Sequence, residues 1–165
     1  MFNILLDEYP REWNGYKLNT DYRIGIMMTL ASSDKRLNDR ERTRAIINLL
    51  FDGSCPQSID ECMECVDWFF NGWTHDKHKK NGSSVAVMDF NADQGRIYSA
   101  FLSQYKIDLN IEDMHFWKFM MLLSNLEECN FTRVVDIRAK KMTGKMSSEE
   151  RKHYADAKRT YAINY

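Results

Sequence analysis

The sequence predicts a mainly α fold, a compact helical domain of about six to seven helices with a small N-terminal β-hairpin. Helix-start patterns recur along the chain, and apolar residues follow them at spacings of three and four, which places them on one helix face. Asn14 and Gly15 form a two-residue hairpin signal between short stretches of strand-forming character. We therefore expect the hairpin within residues 1–18 and helices after it.

Length and composition predict one domain that spans residues 1–165. Of its 165 residues, 44% are hydrophobic and 28% are charged, which is enough to bury a core. The 23 basic and 24 acidic side chains nearly cancel, so no overall charge draws the chain to nucleic acid or to an anionic membrane. No apolar run is long enough to cross a bilayer, and the apolar N-terminal residues lack the basic region of a signal peptide. Four cysteines in a chain of this size favour a reducing compartment, the cytoplasm.

The expected helix starts are the places where a capping residue is followed three positions later by a side chain that bonds back to it. The complete pattern occurs at Asn38 with Glu41, Ser58 with Glu61, Asn91 with Gln94, and Ser147 with Glu150; Asn110 with Asp113 is a weaker form, and Thr20 is a further candidate cap. We expect helices near residues 39–50, 59–73, 93–105 and 111–126, and a final pair after residue 130. The segment 111–126 is apolar nearly all round, which predicts a central helix or a subunit interface. Residues 74–84 contain no apolar side chain and are predicted to form a solvated loop.

The only metal-like pattern is a pair of cysteines followed by a pair of histidines. Cys62 and Cys65, with His75 and His78, would supply two thiolates and two imidazoles, the ligand set of a structural zinc site. However, nine residues separate Cys65 from His75, fewer than the roughly 12 to 15 of a zinc finger. Apolar residues in helical rhythm fill that interval, so we favour cysteines that pack as small hydrophobic residues.

No catalytic motif stands out, and we expect neither enzymatic activity nor a cofactor. His115 lies in a very apolar segment, where a histidine is a general base only rarely and a satisfied core donor more often. Asp89 with Asp93 and Glu127 with Glu128 lie at expected helix ends, where capping or solvation explains them. The run of charges at residues 75–80 is a solvated loop in the simpler interpretation, and in the alternative it is a basic patch for phosphate or an anionic protein surface.

Several segments together resemble a known family, the gene-product-fifteen family of small proteins from long-tailed bacteriophages and prophages of Gram-positive bacteria. The matching segments are residues 19–23, Asp89 and Phe90 with Asp93, residues 97–101, Tyr105 with residues 107–109, and residues 115–119. Two positions depart from the family pattern. Lys106 stands where the family has a glycine suited to a left-handed helix end, and Phe116 stands where it has a tryptophan.

The resemblance implies a role in the tail module, because such genes typically lie between those of the major tail protein and the tape-measure protein. It therefore implies a tail assembly chaperone that binds the tape-measure or tail-tube protein in the host cytoplasm. Within the matching segments we expect exposed partner-binding residues at Tyr22, Arg23, Trp117 and Lys118. The alternatives are a structural component of the tail or connector and, more remotely, a zinc- or nucleic-acid-binding regulator. A homo-oligomer is also compatible with the sequence.

Overall fold

The computed structural model of the chain describes residues 2–73 and 86–163. In these ranges the protein is mainly helical, which confirms the predicted fold class. The helices are α1 (Tyr22–Ser33), α2 (Asp39–Leu50), α3 (Ile59–Asn71), α4 (Gln94–Ala100), α5 (Phe116–Ser124), α6 (Asn130–Ala139) and α7 (Ser148–Thr160). None of the helices described is both long and apolar enough to span a bilayer. The loop predicted at residues 74–84 lies outside the described residues.

The described residues form two compact units, and each is assembled from two separate stretches of chain. The first unit contains residues 2–73 and Asp113–Ser124, and therefore the hairpin, α1, α2, α3 and α5. The second unit contains residues 86–112 and 125–163, and therefore α4, α6 and α7. That the whole chain is a single domain stays a prediction.

The predicted hairpin is present but short. Strands β1 (Glu12–Trp13) and β2 (Tyr16–Lys17) pair in antiparallel register. Asn14 and Gly15 have φ angles of 47° and 84°, as a two-residue turn with positive φ at both positions requires. Residues 3–7 instead form a hydrogen-bonded turn, so the prediction of a hairpin over residues 1–18 was too long.

Two of the predicted capping boxes are confirmed. Asn38 accepts a hydrogen bond of 3.0 Å from the backbone N–H of Glu41, whose carboxylate accepts one of 2.9 Å from the N–H of Asn38. Ser147 and Glu150 make the same exchange at the start of α7, at 3.1 and 2.8 Å. Ser58 precedes α3 as expected, but its side chain makes no capping bond.

Two other predicted caps are wrong, because a nearby aspartate occupies the cap position. Asp21, not Thr20, precedes α1, and its Oδ1 accepts a hydrogen bond of 2.8 Å from the backbone N–H of Arg23. Asp93, not Asn91, precedes α4. Its side chain makes no capping bond and instead takes part in a buried ion pair of the second unit, described below.

The apolar segment predicted as a helix over residues 111–126 forms a shorter one, α5. No helix begins after Asn110, and part of the following backbone is bonded to residues at the start of α1. The N–H of Tyr22 donates to the carbonyl oxygen of Met114 at 2.9 Å, and the N–H of Phe116 donates to that of Thr20 at 2.8 Å. These two bonds occupy the carbonyl of Met114 and the N–H of Phe116, which a helix running through these residues would need for itself, and α5 begins at Phe116.

Helix α5 completes the core of the first unit. The ring of Phe116 stacks on Phe69 of α3 with centroids 5.1 Å apart, and Phe119 stacks on Tyr22 of α1 at 4.8 Å. On its other side Phe116 lies directly against Gly25, where a β-carbon would overlap its ring. The absence of a side chain at Gly25 therefore lets α1 and α5 approach closely.

A buried ion pair links α4 and α6 in the second unit. Asp93 is 0% exposed and receives two hydrogen bonds from the guanidinium of Arg138, at 2.6 and 3.1 Å. Arg138 also donates to the carbonyl oxygens of Tyr161 and Val87. Burial alone would raise the pKa of Asp93, but the hydrogen bonds and charge of Arg138 lower it below its ordinary value. Asp93 is therefore ionised at neutral pH.

Helix α4 continues into a five-residue π-helical segment (Phe101–Tyr105), which ends at Lys106. Lys106 has φ 60° and ψ 26°, the left-handed conformation. Its N–H donates to the carbonyl oxygen of Phe101, and the N–H of Ile107 donates to the same oxygen at 3.4 Å. The chain thus adopts the left-handed helix end without the glycine that favours it.

Candidate functional site

The candidate site lies in the first unit, where the starts of α1 and α5 meet. Asp21 and His115 form an isolated antiparallel bridge through the backbone bonds described above. Because these bonds hold two helix starts side by side, the side chains of both are presented at one place. Residues 7–11, which lead into the hairpin, cover this junction.

His115 is held by backbone groups at both ring nitrogens. Its Nε2 lies 2.9 Å from the carbonyl oxygen of Pro10, and its Nδ1 accepts a hydrogen bond of 3.0 Å from the N–H of Trp117. These partners correspond to the neutral ring with its hydrogen on Nε2. Burial lowers its pKa to about 4; the hydrogen bond to Pro10 opposes this shift, and the charge of Arg11 adds to it. Tyr9 stacks on the ring with centroids 4.9 Å apart.

This geometry makes His115 a structural residue at the start of α5. Its Nδ1 caps the helix by accepting from an N–H of the first turn, which has no partner within the helix. Since both nitrogens have backbone partners, neither is available to a substrate in this arrangement. The interpretation of His115 as a satisfied histidine agrees with these contacts.

Beside His115 the surface opens into a groove of about 660 Å³, which we call the acidic groove. Its lining residues are Asp7, Glu8, Tyr9, Arg11, Thr20, Asp21, Asp113, Met114, His115 and Lys118. Four of them are carboxylates and two are cationic, Arg11 and Lys118, while the imidazole is neutral. The groove therefore carries a net negative charge at neutral pH.

Arg23 fixes the position of two of these carboxylates. Its Nη1 donates to Asp21 at 3.1 Å and to Asp113 at 3.2 Å. The side chain of Arg23 is 40% exposed and that of Asp113 is 93% exposed, so these contacts orient the charges and add little stability. Asp113 keeps most of its surface open to a partner.

The four predicted contact residues come together here, but only two of them are exposed. Lys118 is exposed in the groove wall and Arg23 is partly exposed beside it. The expectation that Tyr22 and Trp117 are exposed is wrong, since they are 5% and 1% exposed. Both aromatic rings pack in the core of the first unit, because α1 and α5 turn them inward while Arg23 and Lys118 lie outside.

Residues 7–11 form one wall of the acidic groove, and the sequence interpretation did not include them. Asp7, Glu8 and Arg11 are ordinary charged residues in a segment without periodicity. Tyr9 before Pro10 was the one available signal, since proline restricts the residue before it to extended backbone. Nothing in the order of residues connects this segment to His115, about a hundred positions later.

The cysteine pair proposed for zinc packs in the first unit. Cys62 and Cys65 are 3% and 0% exposed. Burial raises the pKa of the Cys65 thiol to about 12 and also raises that of Cys62, which disfavours the thiolate that a metal requires. His75 and His78 lie outside the described residues. Among the residues that are described, no three potential ligands cluster around one point.

The chain matches a known protein family along nearly its whole length. The sequence model of a family described as "Bacteriophage Gp15 protein" matches residues 5–163 of the 165-residue chain. The match includes both stretches of the second unit and nearly all of the first. No curated protein and no solved structure matches the chain.

Proposed function

The chain belongs to the Bacteriophage Gp15 protein family, and from this premise we propose that it is a non-enzymatic tail assembly chaperone. In this proposal it binds the tape-measure protein or the tail-tube protein in the cytoplasm of the bacterial host. The observation that carries the proposal is the family match over residues 5–163. The proposal also rests on the tail-module role that the resemblance of its sequence segments implies.

The acidic groove supports a binding role. It is open to solvent, and two of its carboxylates, Asp21 and Asp113, are oriented by Arg23 of the same unit. Such a preorganised surface loses little conformational freedom when a partner binds. Because its carboxylates outnumber its cationic groups, we propose that the partner presents a lysine or arginine side chain here, and that the highly exposed Asp113 is one of its contacts.

The test is co-expression of the chain with the tape-measure and major tail proteins of the same phage or prophage, followed by affinity capture and size-exclusion chromatography. We expect stable co-elution with one of them and a higher yield of soluble tape-measure protein. If the wild-type chain associates with neither protein, the chaperone function is contradicted.

A charge reversal tests the groove itself. Asp113→Lys should weaken co-elution at least about tenfold, since it places a cation where the partner's cation binds. Glu64→Lys is the matched control, because Glu64 is an exposed residue of α3 in the same unit and outside the groove. Equal binding by both variants would show that the partner binds elsewhere.

Mass spectrometry of intact virions separates a chaperone from a structural tail component. A chaperone acts during assembly, so we expect its peptides to be absent from purified particles. Abundant peptides from this chain would replace the chaperone proposal with a structural role in the tail.

A further inference from the structure

A tight turn near the start of the chain presents two leucines to solvent. Leu5 and Leu6 are 87% and 81% exposed, and Ile4 beside them is 42% exposed. The carbonyl oxygen of Asn3 accepts hydrogen bonds from the N–H groups of Leu6 and Asp7, at 2.9 and 2.8 Å. The segment is therefore an ordered turn with an apolar tip, which we call the leucine turn (residues 4–6).

The side chain of Asn3 orders the turn further. Its Oδ1 accepts a hydrogen bond of 3.0 Å from the N–H of Leu5, while the N–H of Asn3 donates to the Asp7 carboxylate at 2.7 Å. These bonds span both ends of the turn, so its conformation is set before any partner arrives. Adjacent large apolar side chains on an ordered surface turn are characteristic of an interaction site.

A second groove in the same unit has an apolar floor. It lies between α2 and α3 and has a volume of about 530 Å³; we call it the α2–α3 groove. Ile47, Pro56, Ile59 and the buried Cys62 contribute its apolar surface, and Ile59 is 64% exposed. The acidic groove shares none of these residues.

The charges around the two features are complementary. Arg40 and Arg44 are exposed, lie one helical turn apart on α2 and line the α2–α3 groove. In the described ranges neither forms an ion pair, whereas Asp39, which also lines the groove, is bonded to Arg42 at 2.8 Å. The leucine turn is followed at once by two exposed carboxylates, Asp7 and Glu8. An apolar tip followed by two acidic residues is thus complementary in charge to an apolar floor with a basic rim.

We propose that the leucine turn of one copy of this chain docks into the α2–α3 groove of a second copy. Leu5 and Leu6 cover Ile47 and Ile59, and the carboxylates of Asp7 and Glu8 face the arginines of the rim. The two surfaces are different, so in a pair one copy keeps a free α2–α3 groove and the other keeps a free leucine turn. Further copies can bind at these free surfaces, and the contact extends into a closed ring or an open chain. The proposal goes beyond the chaperone function and needs no tail protein for its test.

The test begins with the purified full chain, whose mass is measured at increasing concentration by analytical ultracentrifugation. We expect a concentration-dependent rise above the monomer mass. A wild-type chain that remains monomeric throughout overturns the proposal and leaves the leucine turn for a different protein.

Two variants then break one half of the contact each. Leu5→Ser with Leu6→Ser removes the tip and keeps the groove, while Ile59→Glu spoils the groove and keeps the tip. Glutamate is well tolerated in the first turn of a helix, where Ile59 lies, so α3 should be preserved. Each variant alone should associate at least about tenfold more weakly than wild type, since each loses buried apolar area. Circular dichroism checks that both are folded.

Mixing the two variants gives the decisive result. The variant with the two serines still has an intact groove, and the Ile59→Glu variant still has an intact leucine turn. The mixture should therefore form a 1:1 heterodimer, whereas each variant alone should remain mainly monomeric. Ile111→Ser is the matched control, because Ile111 is 77% exposed but lies in the second unit, and it should self-associate like wild type. Failure of the mixed variants to pair, or equal loss in the control, overturns the proposal.

Discussion

The indole Nε1 of Trp117 donates a hydrogen bond of 2.6 Å to the backbone carbonyl oxygen of Phe69. Both residues are buried, and the bond joins α5 to the last turn of α3. The ring also packs edge-on against Trp68 with centroids 5.0 Å apart, and it touches Gly72, where a β-carbon would overlap it. Trp117 is thus enclosed on several sides by α3.

We expect replacement of Trp117 to lower stability rather than partner affinity. Trp117→Ala should reduce the free energy of unfolding by about 3–5 kcal/mol, the usual range for a buried tryptophan. Trp117→Phe keeps much of the packing and should lose less, about 1–3 kcal/mol, since it leaves the Phe69 carbonyl unpaired. Urea unfolding followed by circular dichroism measures both. A stable Trp117→Ala protein that no longer binds the tail protein proposed as its partner would contradict this assignment.

The stability of the protein should decrease as the pH falls, because of His115. Burial lowers its pKa from 6.5 to about 4, so between these values the unfolded chain binds a proton that the folded chain does not. The stabilisation is complete above pH 6.5 and decreases as the pH falls towards 4. From pH 7 to pH 5 the loss should be about 2 kcal/mol.

The control for this prediction is His115→Asn, which does not titrate in that range and retains an acceptor for the Trp117 N–H. Urea unfolding of both proteins at pH 7 and pH 5 gives the comparison. The variant should lose less stability on acidification than the wild type. Identical losses would mean that other groups cause the pH dependence.

Loss of the buried carboxylate at Asp93 should be costly. Asp93→Asn leaves the guanidinium of Arg138 buried without a compensating charge, and it should reduce the free energy of unfolding by about 3–5 kcal/mol. The matched control is Asp156→Asn, which removes the partner of Arg159 in a pair whose side chains are 56% and 79% exposed. Exposed pairs contribute at most about 1 kcal/mol. Thermal unfolding of the two variants should therefore differ clearly, and similar midpoints would contradict the structural role of Asp93.

A glycine at position 106 should stabilise the protein. A side chain in the left-handed conformation costs roughly 1–2 kcal/mol, and glycine's greater freedom in the unfolded chain cancels part of that gain. Lys106→Gly should therefore raise the free energy of unfolding by about 0.5–1 kcal/mol, while Lys106→Ala keeps the strain and should bring no gain. A loss in the glycine variant would instead show that the bond from the Lys106 Nζ to the Ser103 carbonyl, 2.8 Å long, outweighs the strain.

Features that depend on neighbouring residues could be predicted from the sequence. The turn at Asn14 and Gly15 needs only two positive φ angles, and the capping box of Asn38 and Glu41 closes within one helical turn. Most of the helices were predicted for the same reason. In each case the responsible interactions span only a few residues.

Features that depend on distant residues could not be predicted. The late start of α5 results from the pairing of Met114 and Phe116 with Tyr22 and Thr20, about ninety positions earlier in the chain. The π-helical segment has no sequence signature that we recognised. The burial of Tyr22 and Trp117 could not be predicted either. A large aromatic residue suits a core and a binding surface equally well.

The assembly of the first unit from two stretches of chain affects how it is synthesised. Helices α1 and α3 are translated before α5. Translation adds roughly 5–20 residues per second, so the segment between α3 and α5 delays the synthesis of α5 by several seconds. Until α5 is made, the surface against which Phe116 and Trp117 later pack remains uncovered on the nascent polypeptide. Phe69 is part of this surface. A chain that terminates before residue 116 lacks α5 altogether. The protein therefore completes this core only late in its synthesis, and it exposes aggregation-prone aromatic surface in the interval.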